Sequence, residues 1–243
     1  MKKKVTRILS IIFIILIVYS SYHIIIWYKD NKNNSLIKEK IKKYIEIDED
    51  NSIYKIDFNS LKEKNNDTIA YLRVNNTNID YIVVKGNDNK YYLKHNFDKE
   101  SNISGWIFMD HRNKYDGNDK NLIIYGHNMR DGSMFGTLKN IITKEWYQNK
   151  DNHLITLINE QGEEQYQVFS TYSIKVEDYY ITTDFKNDDE YAKFLNKLKS
   201  RSVYDYNVSL KDTASILTLS TCSSNGAKRM VLHAKKIITN KEN

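Results

Sequence analysis

The single cysteine of this 243-residue chain, Cys222, closes the segment Thr218-Leu219-Ser220-Thr221-Cys222 after the apolar run Ala214-Ser215-Ile216-Leu217. A lone thiol cannot form an internal disulfide. Exported cysteines are usually paired, so an unpaired one points to reactivity as its purpose. The competing reading is a buried structural thiol, because free Cys is among the most buried residue types. Two other side chains could supply what a reactive thiol lacks. Asn121-Leu122-Ile123-Ile124-Tyr125-Gly126-His127 ends an apolar strand pattern in a histidine, and Arg229 opens the apolar stretch that follows the cysteine. An imidazole can hold the thiol proton and later give it to a leaving amine. A guanidinium is always charged and can bind substrate carbonyls or a developing oxyanion. Together the three are a nucleophile, a proton-transfer partner and a fixed cation for acyl transfer. By residue type alone, His127 could equally be a hydrogen-bonded turn residue and Arg229 a surface charge beside Lys228. Five other histidines compete for the role: His23, His95, His111, His153 and His233. One Cys and scattered His match no metal-ligand spacing, so no metal and no cofactor are expected.

Bringing Cys222, His127 and Arg229 together requires strands that end at a common rim. Period-2 patterns bounded by turn residues predict a hairpin over Thr68–Val74 and Ile79–Val84. Further strands are predicted at Gly105–Met109, Asn121–Tyr125, His153–Ile158, Glu164–Val176, Ser215–Thr221 and Met230–Ile237. Helical spacing predicts helices at Asn33–Glu46 and Asp57–Lys64, short ones at Ser133–Ile142 and Lys144–Asn149, and an amphipathic helix over Asp188–Lys199. A charged linker is expected near Asp48–Asn51. Eight strands with helical insertions indicate a mainly β protein, a closed mixed barrel rather than a doubly wound sheet.

Residues Ile8 to Trp27 carry no Asp, Glu, Lys or Arg, and twenty helical residues cover about 30 Å, the thickness of a bilayer's hydrocarbon. Lys2, Lys3, Lys4 and Arg7 precede this stretch, and Tyr19, Tyr22, Trp27 and Tyr28 cluster toward its other end. This layout predicts an uncleaved single-pass anchor with a cytoplasmic N-terminus and everything after Tyr28 outside the cell membrane. A cleaved signal peptide shares the layout, but no small-x-small cleavage site follows the apolar run. The expected organisation is residues 1–7 cytoplasmic, 8–27 transmembrane, 28–66 linker and N-terminal helices, and 67–243 catalytic barrel. Net charge is +6, from 37 basic and 31 acidic residues, with four of the basic ones in the leader. The exported part is thus mildly basic, and no motif supports nucleic-acid binding.

Three blocks carry a family resemblance. Thr218-Leu219-Ser220-Thr221-Cys222 followed by Arg229 resembles the signature of sortases. Tyr125-Gly126-His127-Asn128-Met129-Arg130-Asp131-Gly132-Ser133-Met134-Phe135 resembles the histidine segment of class B sortases, and Gly105-Trp106-Ile107-Phe108-Met109-Asp110-His111-Arg112-Asn113 resembles another class B block. The match runs from roughly Ser35 to Thr239. The resemblance implies a cysteine transpeptidase on a sortase β-barrel. Cys222 would attack the carbonyl after a Thr in an Asn-Pro-x-Thr-like sorting signal, with His127 as acid and base and Arg229 orienting substrate. The expected partners are secreted surface proteins bearing that signal and an amine of a peptidoglycan precursor. The family also implies that Ser220 and Thr221 line the site and that Tyr180 and Ile181 form a substrate-pocket wall. The segment Ser223-Ser224-Asn225-Gly226-Ala227-Lys228 lacks acidic or aromatic residues that relatives carry, a difference bearing on substrate preference. The calcium site of class A enzymes has no counterpart. Two other readings predict different behaviour: an extracellular cysteine protease releasing its acyl group to water, and a non-catalytic membrane-anchored binding module. The order of His127 before Cys222 disfavours papain-like peptidases, which place Cys first.

Overall fold

The structure is a computed structural model describing residues 2–48, 53–175, 177–211, 215–222 and 228–241. Helix α1 runs unbroken from Lys2 to Lys42, so the apolar stretch and the helix expected from Asn33 form one element. An 18-residue window of it has mean hydropathy 2.4 and none of that window is buried, so by length and composition it could cross a membrane. Asp30, Asn31, Asn33 and Asn34 are poor helix formers, and contacts with the barrel loops override that weakness. Asn34 Nδ2 donates to Asn102 Oδ1 (3.3 Å) and Gly105 O (3.2 Å), and Asn102 Nδ2 donates back to Asp30 O (3.0 Å). One and two turns further on, Ile37 and Ile41 are buried.

Strands β1 (Ile45–Asp48) and β2 (Ile53–Ile56) pair antiparallel as a separate two-stranded sheet, where the sequence suggested a helix end and a charged linker. Residues 49–51 of that linker lie outside the described residues. Helix α2 (Phe58–Lys64) starts at Asp57, whose carboxylate accepts the Ser60 N–H at 3.0 Å, an N-cap bond that satisfies one orphan donor of the first turn.

The remaining strands are β3 (Thr68–Val74), β4 (Asp80–Val84), β5 (Phe108–Met109), β6 (Asn121–His127), β7 (Leu154–Asn159), β8 (Gly162–Ile174), β9 (Ile216–Cys222) and β10 (Arg229–Lys241). They close into the expected eight-stranded mixed barrel, ordered β10-β8-β7-β3-β4-β5-β6-β9. Packed on it are a 3₁₀ helix (Gly136–Ile142) in place of the expected helix over Ser133–Ile142, helix α3 (Lys144–Gln148), and helix α4 (Asp188–Ser200), whose Tyr191, Phe194, Leu195 and Leu198 cluster with Phe169, Tyr172, Ile216 and Val231.

β5 is shorter than the predicted Gly105–Met109, and the reason lies in the loop before it. Gly105 adopts φ +55°, and a Cβ there would collide with Tyr92 O. The chain leaves the ladder so that the Trp106 N–H can donate to that same carbonyl at 2.9 Å. The 3₁₀ turn Tyr91–Leu93 is thereby pulled against the barrel rim. Gly105→Ala combines a left-handed backbone penalty with this collision, and should cost about 2 kcal/mol or more in urea unfolding. An unchanged midpoint would mean that the Tyr92–Gly105 approach does not constrain the fold.

Candidate active site

Cys222 and His127 meet through a strand ladder. β6 and β9 run parallel in continuous register, from Asn121 opposite Ile216 to His127 opposite Cys222. Strand β10 returns antiparallel along β9, with Val231 opposite Ser220. Just beyond that pair the Met230 N–H donates to Thr221 Oγ1 at 2.9 Å, so the chain near Arg229 runs on toward Cys222. Nucleophile candidate, histidine and arginine thus stand on three neighbouring strands at one rim. The histidine can sit there because Gly126 precedes it: a Cβ at Gly126 would lie 2.5 Å from Ile107 Cδ1 and 2.8 Å from Phe135 Cγ.

The His127 ring is half-buried, with Nε2 2.8 Å from Leu93 O in the Tyr91–Leu93 turn. A carbonyl oxygen can only accept, so Nε2 carries a proton and Nδ1 is the nitrogen left for proton exchange. The other histidines stand elsewhere. His23 and His111 are exposed, His95 bonds Tyr91 O, His153 bonds Tyr147 O, and His233 is buried in the barrel.

Arg229 Nη1 donates to the Tyr180 hydroxyl at 3.1 Å, and that hydroxyl lies 3.0 Å from Ser220 Oγ. Of the four residues expected to line the site, Tyr180, Ser220 and Thr221 are fully buried, while Ile181 is partly exposed. The first three therefore lie behind the surface, bonded to Arg229 and to the start of β10.

The turn Tyr179–Ile181 that carries Tyr180 is held by side chains whose roles the sequence did not disclose. Asn121 Nδ2 donates to Tyr180 O (3.2 Å) and Thr182 O (2.9 Å), and Arg112 Nη2 donates to Ile181 O (3.0 Å). Three successive carbonyls are thus bound from outside the turn. Arg112 is fixed in turn by a bidentate contact to buried Asp110 (2.9 and 2.7 Å), whose Oδ2 also accepts from Tyr125 at 2.9 Å. Burial pushes the Asp110 carboxyl up, but the hydrogen bonds from Arg112 and Tyr125 outweigh it and hold the group below the usual carboxylate value. The signal for this cluster was an acid and an arginine two residues apart directly after an apolar strand.

Beneath the rim runs a hydrogen-bonded chain with one consistent proton order. Thr218 Oγ1 donates to Asn121 Oδ1 (2.6 Å), so it must accept from His233 Nδ1 (2.9 Å). His233 Nε2 then accepts from the Tyr172 hydroxyl (2.8 Å), which accepts from Tyr179 (3.2 Å). The chain begins on the Tyr179 side chain and returns, through Asn121, to the backbone of the same turn. Residues 223–227, where the sequence departs from the class B pattern, lie outside the described residues. A cavity of about 530 Å³ lined by Tyr115, Asp119, Glu164 and Lys236 opens at the opposite barrel mouth, remote from His127.

Burial lowers the His233 pKa from 6.5 to about 3, so it is neutral in the folded chain. In the unfolded chain it takes up a proton near pH 6.5, so its contribution to stability is complete above that pH and is lost as pH falls toward 3. Between pH 7 and pH 4 the wild type should therefore lose stability more steeply than His233→Gln, followed by urea unfolding at each pH. Parallel slopes would mean that His233 is not the buried neutral base of this chain.

The comparisons agree with this architecture. Residues 72–237 match the family described as Sortase domain. Sortase B of Staphylococcus aureus (strain NCTC 8325 / PS 47) is 34% identical over 97% of this chain and 98% of its own length. The structure of sortase B from B. anthracis in complex with AAEK1 superposes with a TM-score of 0.76 at 32% identity, over 86% of this chain and 99% of that one. A sortase B complexed with triglycine superposes with a TM-score of 0.70 at 37% identity, over 75% and 86% of the two chains. With nearly full-length matches in sequence and the same closed barrel, this chain belongs to the sortase family of cysteine transpeptidases, in its class B.

Proposed function

We propose that this cell-wall transpeptidase works through Cys222, His127 and Arg229 on a sorting signal of the Asn-Pro-x-Thr kind. The observation that carries the reading is the in-register pairing of His127 with Cys222 at the ends of adjacent parallel strands. The Cys222 thiolate attacks the Thr carbonyl carbon, forming a C–S bond and a tetrahedral oxyanion. Arg229, steadied by Tyr180, orients the substrate and offsets that charge. Collapse breaks the scissile C–N bond, and the departing amine takes a proton from His127 Nδ1. An incoming amine then gives a proton back to Nδ1 as it attacks the thioester, and the C–S bond breaks to regenerate the thiolate. The Leu93 carbonyl accepts from Nε2–H throughout, which fixes the ring and leaves Nδ1 as the nitrogen that exchanges the proton. The acceptor is an amine of a peptidoglycan precursor. The triglycine held by a solved sortase B is a simple primary amine of that kind.

In this reading residues 8–27 of α1 anchor the enzyme in the membrane. The Lys2, Lys3, Lys4 and Arg7 cluster keeps the N-terminus cytoplasmic and leaves residues 67–243 outside as the catalytic barrel. Ser220, Thr221 and Tyr180 support Arg229 and the strand ends from within, and Ile181 offers partly exposed apolar surface to the sorting signal.

The test is incubation of the chain from Asp30 onward with an x-Pro-x-Thr-x peptide library, with and without triglycine, and product analysis by mass spectrometry. Cleavage after Thr with transfer to triglycine is expected, whereas free acid alone in both arms would indicate a hydrolase. His127→Ala should lower turnover by about 10²- to 10⁴-fold, the usual range for loss of acid–base catalysis. Arg229→Lys should lose about 10²-fold, because an ammonium cannot reproduce the guanidinium fork. Near-wild-type kinetics in either folded variant would remove that residue from the mechanism.

A further inference from the structure

The loops that flank His127 are bound to the very turn of α1 that follows the apolar stretch. Asp30 Oδ2 accepts the Ile103 N–H at 2.8 Å, Asn31 Oδ1 accepts from Ser104 Oγ at 2.6 Å, and Asn31 Nδ2 donates to Asp131 Oδ2 at 2.6 Å. Asn33 Nδ2 adds a bond to Glu100 Oε2 at 3.0 Å. Both loops belong to the site. Asp131 follows His127 by four residues in the chain, and the Phe135 N–H donates back to His127 O at 2.9 Å. The loop holding Ile103 and Ser104 is joined to the Tyr91–Leu93 turn by Asn102 N–H to Lys94 O (2.8 Å) and Trp106 N–H to Tyr92 O (2.9 Å). Leu93 of that turn carries the carbonyl bound to His127.

The spacing along α1 leaves no room for a tether. From Trp27, at the end of the uncharged stretch, to Asp30 a continuous helix rises about 4.5 Å, less than the headgroup layer on one side of a bilayer, roughly 5–8 Å. The helix is unbroken across this junction. Ile103 is 50% exposed on the loop fastened to Asp30 and Asn31. The other barrel mouth, where Asn121 pairs Ile216 and β7 turns into β8, stands about 20 Å away along β6.

We propose that the loops around Ile103 and Asp131 rest on the outer lipid surface, so that the site works at the membrane face of the barrel rather than toward the wall. The inference rests on the membrane anchoring proposed above. For any donor or acceptor itself held at the membrane, a site in this place replaces three-dimensional search by diffusion along the lipid surface. The unbroken helix fixes the height of the site, and Ile103 dips its side chain into the headgroup layer.

The test uses the full chain carrying Cys222→Ala and one introduced cysteine, Ile103→Cys or Gln161→Cys, labelled with a nitroxide. The protein is reconstituted in vesicles of equimolar phosphatidylcholine and phosphatidylglycerol containing a lipid with a nickel-chelate headgroup. Relaxation enhancement by the headgroup nickel should be several-fold stronger at position 103 than at position 161. A flexible Gly-Ser insertion between Tyr28 and Lys29 should abolish that difference while leaving the labelled barrel folded. If the protein floats with the vesicles but the two labels respond equally, or position 161 responds more, the orientation is wrong and the anchor stands. If the protein does not float with the vesicles at all, the anchor itself fails and the orientation falls with it.

Discussion

A parallel ladder has no hairpin turn to set its register, so the alignment of β6 with β9 must come from side chains. Two sets of contacts provide it here. Leu122, Ile123 and Ile124 are buried with Leu217 and Leu219, and Thr218 donates across the strands to Asn121 at 2.6 Å. A slip of one residue would exchange the two buried faces of β6, misfit the side chains packed on each, and break the Thr218–Asn121 bond inside the core. Each is a heavy cost in a strand that is buried on both faces. The same slip would separate His127 from Cys222. Fold stability and the proposed catalytic geometry thus rest on one alignment.

Arg229 depends on a second constraint, the turn Tyr179–Ile181. Such a turn would ordinarily be loose, because its carbonyls have no ladder to join. Here Asn121 and Arg112 bind three consecutive carbonyls, and the Tyr179–Tyr172–His233–Thr218–Asn121 chain ties the turn back to the barrel. Every member of that chain has a defined donor or acceptor. A fully satisfied buried network rigidifies a structure where a partly satisfied one would weaken it. Asn121 is the shared residue: it helps lock the β6–β9 register and also holds the turn behind Arg229.

The strands, the amphipathic α4 and the apolar stretch of α1 were legible in the sequence because each buries or exposes a face at a regular period. Cys222, His127 and Arg229 were legible as residues at strand ends, and the family blocks singled them out from other residues of the same types. The unbroken α1 was not legible, since Asp30, Asn31, Asn33 and Asn34 read as helix breakers until their partners on the barrel loops are seen. The β1–β2 pair was hidden for a similar reason, as two four-residue strands amid charged residues carry too little period to separate from a linker. The roles of Leu93, Asn121 and His233 rest on long-range geometry. A main-chain carbonyl has no sequence signature, and a buried histidine reads the same as an exposed one. Tyr180 and Ser220 read as site lining, yet they are buried and their hydroxyls bond each other, with that of Tyr180 also accepting from Arg229.

The most direct test of the mechanism is the intact mass of the enzyme quenched in acid during turnover of a sorting peptide without an amine. A mass increase equal to the peptide up to its Thr, mapped to Cys222 by proteolysis and discharged on adding triglycine, is what a thioacyl-enzyme on the β6–β9 rim requires. Peptide cleavage with no adduct at any time point, or an adduct on another residue, would contradict the assignment of Cys222 and the account built on its pairing with His127.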